Sequence, residues 1–216
     1  MRLLPLTDSS LIVYLGEDID PVINRRVHGL AAALRSASLP GVTEIVPAYA
    51  SLTVHYDSLM LTHDQVGAWV QSHAGAVNRT PERAPRRVEV PVVYDGPDLL
   101  DVAAHCRLSV DEVIRLHAQT PYIVYMMGFL PGFAYLGTLP QALITPRLAT
   151  PRTRVPAGSV GIAGAQTGIY PFESPGGWRL IGHTPLRPFD PQREPPFLFA
   201  PGDAVQFIPV PGDDVP

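Results

Sequence analysis

The stretch AGSVGIAGAQTGIYPFESPGGW, residues 157–178, carries six glycines and limits the folds open to the second half of the chain. Glycine at this density predicts tight turns, left-handed backbone and close approach of the backbone to another surface. Most of the 25 prolines also lie in the second half, and proline removes a backbone donor and fixes φ. After Met127, short apolar segments alternate with Gly and Pro. This pattern predicts a β-barrel or another closed β-sheet.

The first part of the chain has a different pattern, in which strands and helices alternate. Residues 3–15 predict two short strands, and the apolar spacing over 19–37 predicts an amphipathic helix. A strand pair follows at 43–48 and 52–56, and Thr62 begins a capping box that opens another helix. The order β-α-β-β-α predicts a small α+β domain that resembles half of a ferredoxin-like fold.

A polar segment, Asn78–Arg87, separates the two patterns and predicts a linker, because it is rich in arginine and contains two prolines. We therefore expect an N-terminal α+β domain at 1–80 and a mostly-β barrel domain at 86–216. The second domain opens with a predicted strand at 87–94 and two short helices, and Tyr122–Met127 is an apolar strand.

The composition excludes several classes of function. A formal charge of −4 argues against nucleic acid as a partner. The single cysteine, Cys106, excludes an internal disulfide, and its apolar surroundings favour an inert core residue. The chain has no lysine, which excludes a P-loop or Schiff-base lysine. No apolar run is long enough to span a membrane and no signal peptide is evident, so we expect a cytoplasmic protein.

Charge is distributed unevenly along the chain. No Asp or Glu lies between Glu112 and Glu173, and four arginines fall within that interval. A basic, acid-free segment in a net-acidic protein predicts a site for an anion, such as a carboxylate or a phosphate. Within it, TPRLATPRTRVP (145–156) has regularly spaced prolines that stiffen the segment and prevent it from forming a helix.

The arginines of this proline-stiffened loop are the first candidates for substrate binding, because a planar guanidinium makes bidentate contacts to carboxylates and phosphates. Structural ion pairs with acids elsewhere in the chain are the alternative. Four other polar residues of the glycine-rich region and its flank are candidate pocket groups, although they could equally satisfy buried turn backbone. The candidate substrate-binding residues are Arg147, Arg152, Arg154, Gln166, Tyr170, Ser174 and His183.

The segment GFLPGFAYLGTLP, residues 128–140, offers candidates for a partner surface, namely Phe129, Phe133 and Tyr135. Burial of these rings in the core is the alternative interpretation. A metal site is not expected, because His183 has no second histidine at ligand spacing. The catalytic residues stay unassigned.

These residues also carry a family resemblance. The run GFLPGFAYLGTLP, the TPR repeats, VPAGSVGIAGAQTGIYPFESPGGWRLIGHTP and the terminal PGD resemble the family of KipI and allophanate hydrolase subunit 1. The resemblance implies a cyclophilin-like barrel after the N-terminal domain. It further implies a role in ATP-dependent 5-oxoprolinase, alongside a PxpC- or KipA-like second subunit and a PxpA-like third subunit. ATP would be used by the complex, since this chain has no ATP motif.

Two other functions are compatible with the resemblance. One is a KipI-like inhibitor of a sensor histidine kinase, in which the aromatic surface would matter most. The other is an accessory role in urea or allophanate metabolism. The family commonly has G-R-T-P where this chain has Gly182-His183-Thr184-Pro185, so an anion bound at that position would be held differently.

Overall fold

A computed structural model describes residues 1–75 and 85–212 of the chain, which divides into the units Met1–Ala84 and Pro85–Pro216. Each unit has its own hydrophobic core. The predicted linker at 78–87 falls largely outside the described residues.

The N-terminal unit is a four-stranded antiparallel sheet with two helices, and its strand order is β1-β2-β4-β3. Two strands precede the first helix, as the sequence indicated. In chain order the elements are β1 (Arg2–Thr7), β2 (Ser10–Tyr14), α1 (Pro21–Ala37), β3 (Val42–Pro47), β4 (Ser51–Tyr56) and α2 (His63–His73).

Local sequence signals begin both helices of this unit. The carboxylate of Asp20 accepts two backbone N–H groups of the first turn of α1, and Pro21 opens that turn. The predicted capping box of α2 is present between Thr62 and Gln65. The α+β character is confirmed, whereas the ferredoxin-like description stays a prediction. The face of α1 that packs on the sheet consists of Val27, Leu30, Ala31 and Leu34.

The second unit is mostly β-structure. Its helices and first strands are β5 (Arg87–Val92), α3 (Leu99–Cys106), α4 (Val110–Gln119), β6 (Tyr122–Met127) and β7 (Ala134–Gly137). The remaining strands are β8 (Arg152–Val155), β9 (Ser159–Ala163), β10 (Gln166–Ile169), β11 (Ser174–Gly176), β12 (Arg179–His183) and β13 (Ala204–Pro209).

Seven of these strands form one sheet in the order β12-β9-β10-β7-β6-β13-β5. The two ends of the sheet meet where Val93, directly after β5, bridges to His183 at the end of β12. Each residue donates its backbone N–H to the carbonyl of the other, at 2.9 Å in both directions. The sheet is therefore a nearly closed barrel, which confirms the mostly-β prediction. The cyclophilin-like description of it stays a prediction.

The interior of the barrel is filled by apolar side chains and one buried polar network. Val124, Leu136, Ile162 and Phe207 are among the fully buried residues of this core. His117 of α4 lies within the same core and is fully buried. Because side chains fill the interior, the predicted ligand-binding residues can act only on the outer face of the sheet or at its ends.

A two-stranded antiparallel ribbon, β8 with β11, forms a separate small sheet in the second unit. Val155 of the ribbon packs with Phe133, Tyr170, Trp178 and Leu180 in a second apolar cluster, distinct from the barrel core. We call this pair of strands the ribbon.

Candidate functional site

Tyr170 is the point at which most of the predicted site residues meet. Its ring lies edge-on to Phe133 at 5.4 Å and to Phe129 at 6.5 Å between centroids. Phe133 in turn contacts Tyr135 at 4.9 Å and Trp178 at 5.4 Å. The five rings form a continuous aromatic cluster, in which edge-to-face contacts each add roughly 0.5–1.5 kcal/mol beyond area burial.

The exposure of the three predicted partner-surface residues differs. Phe133 is 1% exposed and is a core residue, as the alternative interpretation of this segment held. Phe129 is 59% exposed, and its φ of 67° places it in the left-handed region. Tyr135 is half-buried. A bulky residue in left-handed backbone is uncommon and indicates a functional constraint when the surrounding structure holds it there.

The backbone on both sides of Arg147 is anchored, which explains how its side chain is displayed. Arg179 Nε donates to the carbonyl of Pro146 at 3.1 Å, and Leu148 donates its N–H to the carbonyl of Gly177 at 2.8 Å. The Arg147 side chain is exposed, and it forms no ion pair with any residue in the described part of the chain. Arg147 therefore offers a free guanidinium on a fixed backbone.

The charge of Arg147 reaches the aromatic cluster. Burial raises the pKa of Tyr135, and the positive charge of Arg147 opposes that rise. Burial likewise raises the pKa of Tyr170, and the Trp178 backbone N–H and the charges of Arg147 and Arg152 oppose it. Both arginines thus lie close enough to Tyr170 to favour negative charge there.

Arg152 is held by a buried acid. Its Nη2 donates to Asp98 Oδ1 at 2.6 Å, and Asp98 Oδ2 also accepts the backbone N–H of Leu180 at 2.7 Å. Asp98 is 4% exposed and precedes α3, but its side chain does not cap that helix. The acid therefore links α3, β12 and the ribbon through one carboxylate, and it fixes the direction of the guanidinium.

The structure places the other predicted substrate-binding residues away from Tyr170 or in local pairs. Arg154 Nε contacts Glu173 Oε2 at 2.6 Å across the ribbon, with both side chains largely exposed. His183 Nδ1 lies 2.8 Å from Asp95 Oδ1 at the barrel closure. Gln166 begins β10, next to the hairpin that joins β10 to β9. Arg152 and Arg154 thus make the ion pairs that the alternative interpretation of this loop proposed, whereas Arg147 does not.

Sequence reasoning missed two residues of this site. Asp98 precedes a predicted helix, where an acid is typical of an ordinary N-cap, so its pairing with Arg152 54 positions later had no signal in the sequence. Trp178 completes the aromatic cluster and donates its backbone N–H to the Tyr170 hydroxyl. Its position at the end of the glycine-rich stretch was the only available signal.

Neither a metal site nor a membrane-spanning helix is found in the described part of the chain. Residues 1–75 and 85–212 contain no group of His, Cys, Asp or Glu side chains that could hold a metal ion. Over the same residues, no helix combines the length and apolar character needed to cross a bilayer.

Comparison with known proteins gives the family. Residues 1–199 match the family model for the carboxyltransferase domain, subdomain C and D. The chain belongs to this family. It is 43% identical to the B-type subunit of 5-oxoprolinase from Bacillus subtilis (strain 168), over 94% of this chain and 90% of that protein. It is 44% identical to the B-type subunit of 5-oxoprolinase from Escherichia coli O157:H7, over 94% of this chain and 93% of that protein. These identities confirm the resemblance found in the sequence.

Solved structures agree with the family. The crystal structure of TTHA0988 matches 96% of this chain with a TM-score of 0.83 and 42% sequence identity, and the chain spans 41% of the length of TTHA0988. The urea amidolyase of K. lactis matches all of this chain with a TM-score of 0.79, and the chain spans 16% of its length. At 18% identity, that second likeness shows the shared carboxyltransferase-domain fold alone.

Proposed function

We propose that this chain is one component of a 5-oxoprolinase and that it acts with partner subunits to open 5-oxoproline to L-glutamate. The observation that carries the proposal is the identity of 41–44% to three proteins, each named as the B-type subunit of 5-oxoprolinase, over more than nine-tenths of this chain. No comparable identity supports a role in urea metabolism, because the likeness to urea amidolyase extends to the fold only.

The reaction explains why ATP and partner subunits are needed. Water must add across the lactam C–N bond, which yields the free amine and carboxylate of glutamate, and an unactivated amide is a poor electrophile. Transfer of a phosphoryl group from ATP to the lactam oxygen would make the carbon reactive. This chain has no lysine to hold ATP phosphates, so that step belongs to a partner of the PxpA-like or PxpC-like kind.

The contribution proposed for this chain is to bind the anionic substrate. Arg147 supplies a free guanidinium, and Phe129 and Tyr135 supply rings beside it that can cover the apolar face of a five-membered lactam. A carboxylate held by arginine next to aromatic rings is a recurrent arrangement for small ligands. The substrate-binding role of Arg147 is part of this proposal.

The test is to purify the chain with its two candidate partner subunits from the same genome and to measure glutamate released from 5-oxoproline and ATP. Release is expected only when all components are present. Arg147→Ala should lower kcat/KM by about tenfold to a hundredfold, since a charge-assisted hydrogen bond contributes roughly 1.5–3 kcal/mol. Arg115→Ala is the matched control, because Arg115 is another exposed arginine of the acid-free segment and lies on α4.

The outcome decides between the proposal and its alternatives. If the complete mixture releases no glutamate, the chain is not part of an oxoprolinase. If Arg147→Ala and Arg115→Ala behave alike, the enzyme assignment holds but the substrate does not contact Arg147.

A further inference from the structure

Two buried polar atoms of the ribbon have no hydrogen-bond partner. Within the described residues, the buried side-chain atoms in this condition are Tyr122 Oη, Arg152 Nη1 and Ser174 Oγ. Arg152 belongs to β8 and Ser174 to β11, so two of the three lie on paired strands. Buried polar atoms are nearly always hydrogen-bonded, and two exceptions in one short ribbon point to a bound group.

Both side chains lie on the same face of the ribbon. Gly176 is the cross-strand partner of Arg152, and a Cβ on Gly176 would come within 2.4 Å of the Tyr170 hydroxyl. Ser174 is two residues from Gly176, so its side chain points to the same side. Its own cross-strand partner, Val155, is buried in the cluster with Tyr170. The Tyr170 hydroxyl therefore lies between Arg152 and Ser174 on that face.

All three groups can donate a hydrogen bond. The Tyr170 hydroxyl accepts the backbone N–H of Trp178, which leaves its own proton to donate. Arg152 Nη1 is a donor only, and the Ser174 hydroxyl is unpartnered. Three converging donors match an acceptor group such as a carboxylate or a phosphate. Because Asp98 already neutralises Arg152, the site suits one negative charge better than two.

We propose that Arg152 Nη1 and the Ser174 hydroxyl, with the Tyr170 hydroxyl between them, bind the carboxylate of a small monoanionic ligand. Asp98 acts as a positioning residue, since it fixes Arg152 Nη2 and so directs Nη1 toward this face. The identity of the ligand as 5-oxoproline rests on the proposed function. The anion site itself rests only on the ribbon geometry.

Entry to this site requires the ribbon to move. Both unpartnered atoms are closed to solvent, and the ribbon is a two-stranded sheet of its own outside the barrel ladder. An exposed ion pair, Arg154 with Glu173, joins its two sides, and exposed pairs of this kind hold strands only weakly. A small element with few backbone bonds to its surroundings opens at lower cost than the barrel strands beneath it.

The test is a thermal unfolding experiment on the chain with the sodium salts of L-5-oxoproline and of inorganic phosphate, and with pyrrolidinone, which has the lactam ring without the carboxylate. L-5-oxoproline at ten times its Kd is expected to raise the Tm by about 3 °C. Pyrrolidinone should give no shift. Ser174→Ala should weaken 5-oxoproline binding about tenfold without lowering the Tm of the free protein, because it removes an unpaired buried hydroxyl.

Arg154→Gln is the control, because Arg154 lies on the same ribbon but pairs with Glu173. It should leave the ligand-induced shift unchanged. No shift with 5-oxoproline, an equal shift in Ser174→Ala, or a shift with phosphate only would each overturn the proposal. The last result would replace the carboxylate with a phosphate ligand.

A second measurement separates this inference from the proposed function. In the reconstituted complex, Ser174→Ala should raise KM for 5-oxoproline about tenfold while kcat changes little. A complex that releases no glutamate, with Ser174-dependent 5-oxoproline binding to the chain, refutes the function and leaves the site. An active complex in which Ser174→Ala changes neither KM nor the thermal shift refutes the site and leaves the function.

Discussion

His117 in the barrel core makes the stability of the second unit depend on pH. Its Nδ1 lies 2.7 Å from the Tyr94 hydroxyl and its Nε2 lies 2.9 Å from Thr167 Oγ1. Thr167 donates its own proton to the Gly161 carbonyl, so its oxygen accepts from Nε2 and Nδ1 accepts from Tyr94. The neutral imidazole satisfies every partner, and an added proton on Nδ1 would face a donor.

Burial of His117 lowers its pKa from 6.5 to about 3. A base whose folded pKa lies below its unfolded value takes up a proton first in the unfolded chain. Its contribution to stability is therefore complete above pH 6.5 and is lost as the pH falls from there toward 3. The slope in this window is about 1.4 kcal/mol per pH unit, which amounts to about 2 kcal/mol between pH 7.5 and 5.0.

The assay is urea unfolding at these two pH values, followed by the fluorescence of Trp178 in a chain where Trp69→Phe removes the signal of the N-terminal unit. The free energy of unfolding of the parent should fall by about 2 kcal/mol more than that of His117→Gln, which cannot titrate. His105→Gln, an exposed histidine of α3, is the matched control and should retain the parent's difference. If the parent and His117→Gln lose the same free energy, His117 is not buried as a neutral base.

Two further stability changes follow from the ribbon and its buried acid. Arg152→Met leaves Asp98 buried without its cation and should lower the free energy of unfolding by about 3 kcal/mol, whereas adding Asp98→Asn should restore part of it; an equal loss in both variants would show that the pair is not coupled. Gly176→Ala places a Cβ against the Tyr170 hydroxyl and should cost about 2 kcal/mol, and Tyr170→Phe in the same chain should recover some of that loss; thermal melts of the single and double variants check this, and additive losses would argue against the contact.

Several features of the fold could be predicted because they depend on short-range signals. The capping box at Thr62, the acid before α1 and the apolar spacing of α1 each act within a few residues. The glycine- and proline-rich second half predicted a closed sheet correctly, since those residues prevent helix formation locally. The acid-free segment predicted correctly which stretch holds a cation without an acidic partner, although only Arg147 of its loop fits that description among the described residues.

The sequence by itself determined that the second half must be short strands and turns, because glycine and proline restrict the backbone wherever they occur. It also determined that the arginines of 145–156 would be displayed outside helices. Only the tertiary structure decided which of them remain free. Asp98 and Glu173 neutralise Arg152 and Arg154, and Arg147 has no such neighbour within residues 1–75 and 85–212. Ion pairing and burial depend on contacts between residues far apart in the chain, and composition and spacing carry no record of those distances.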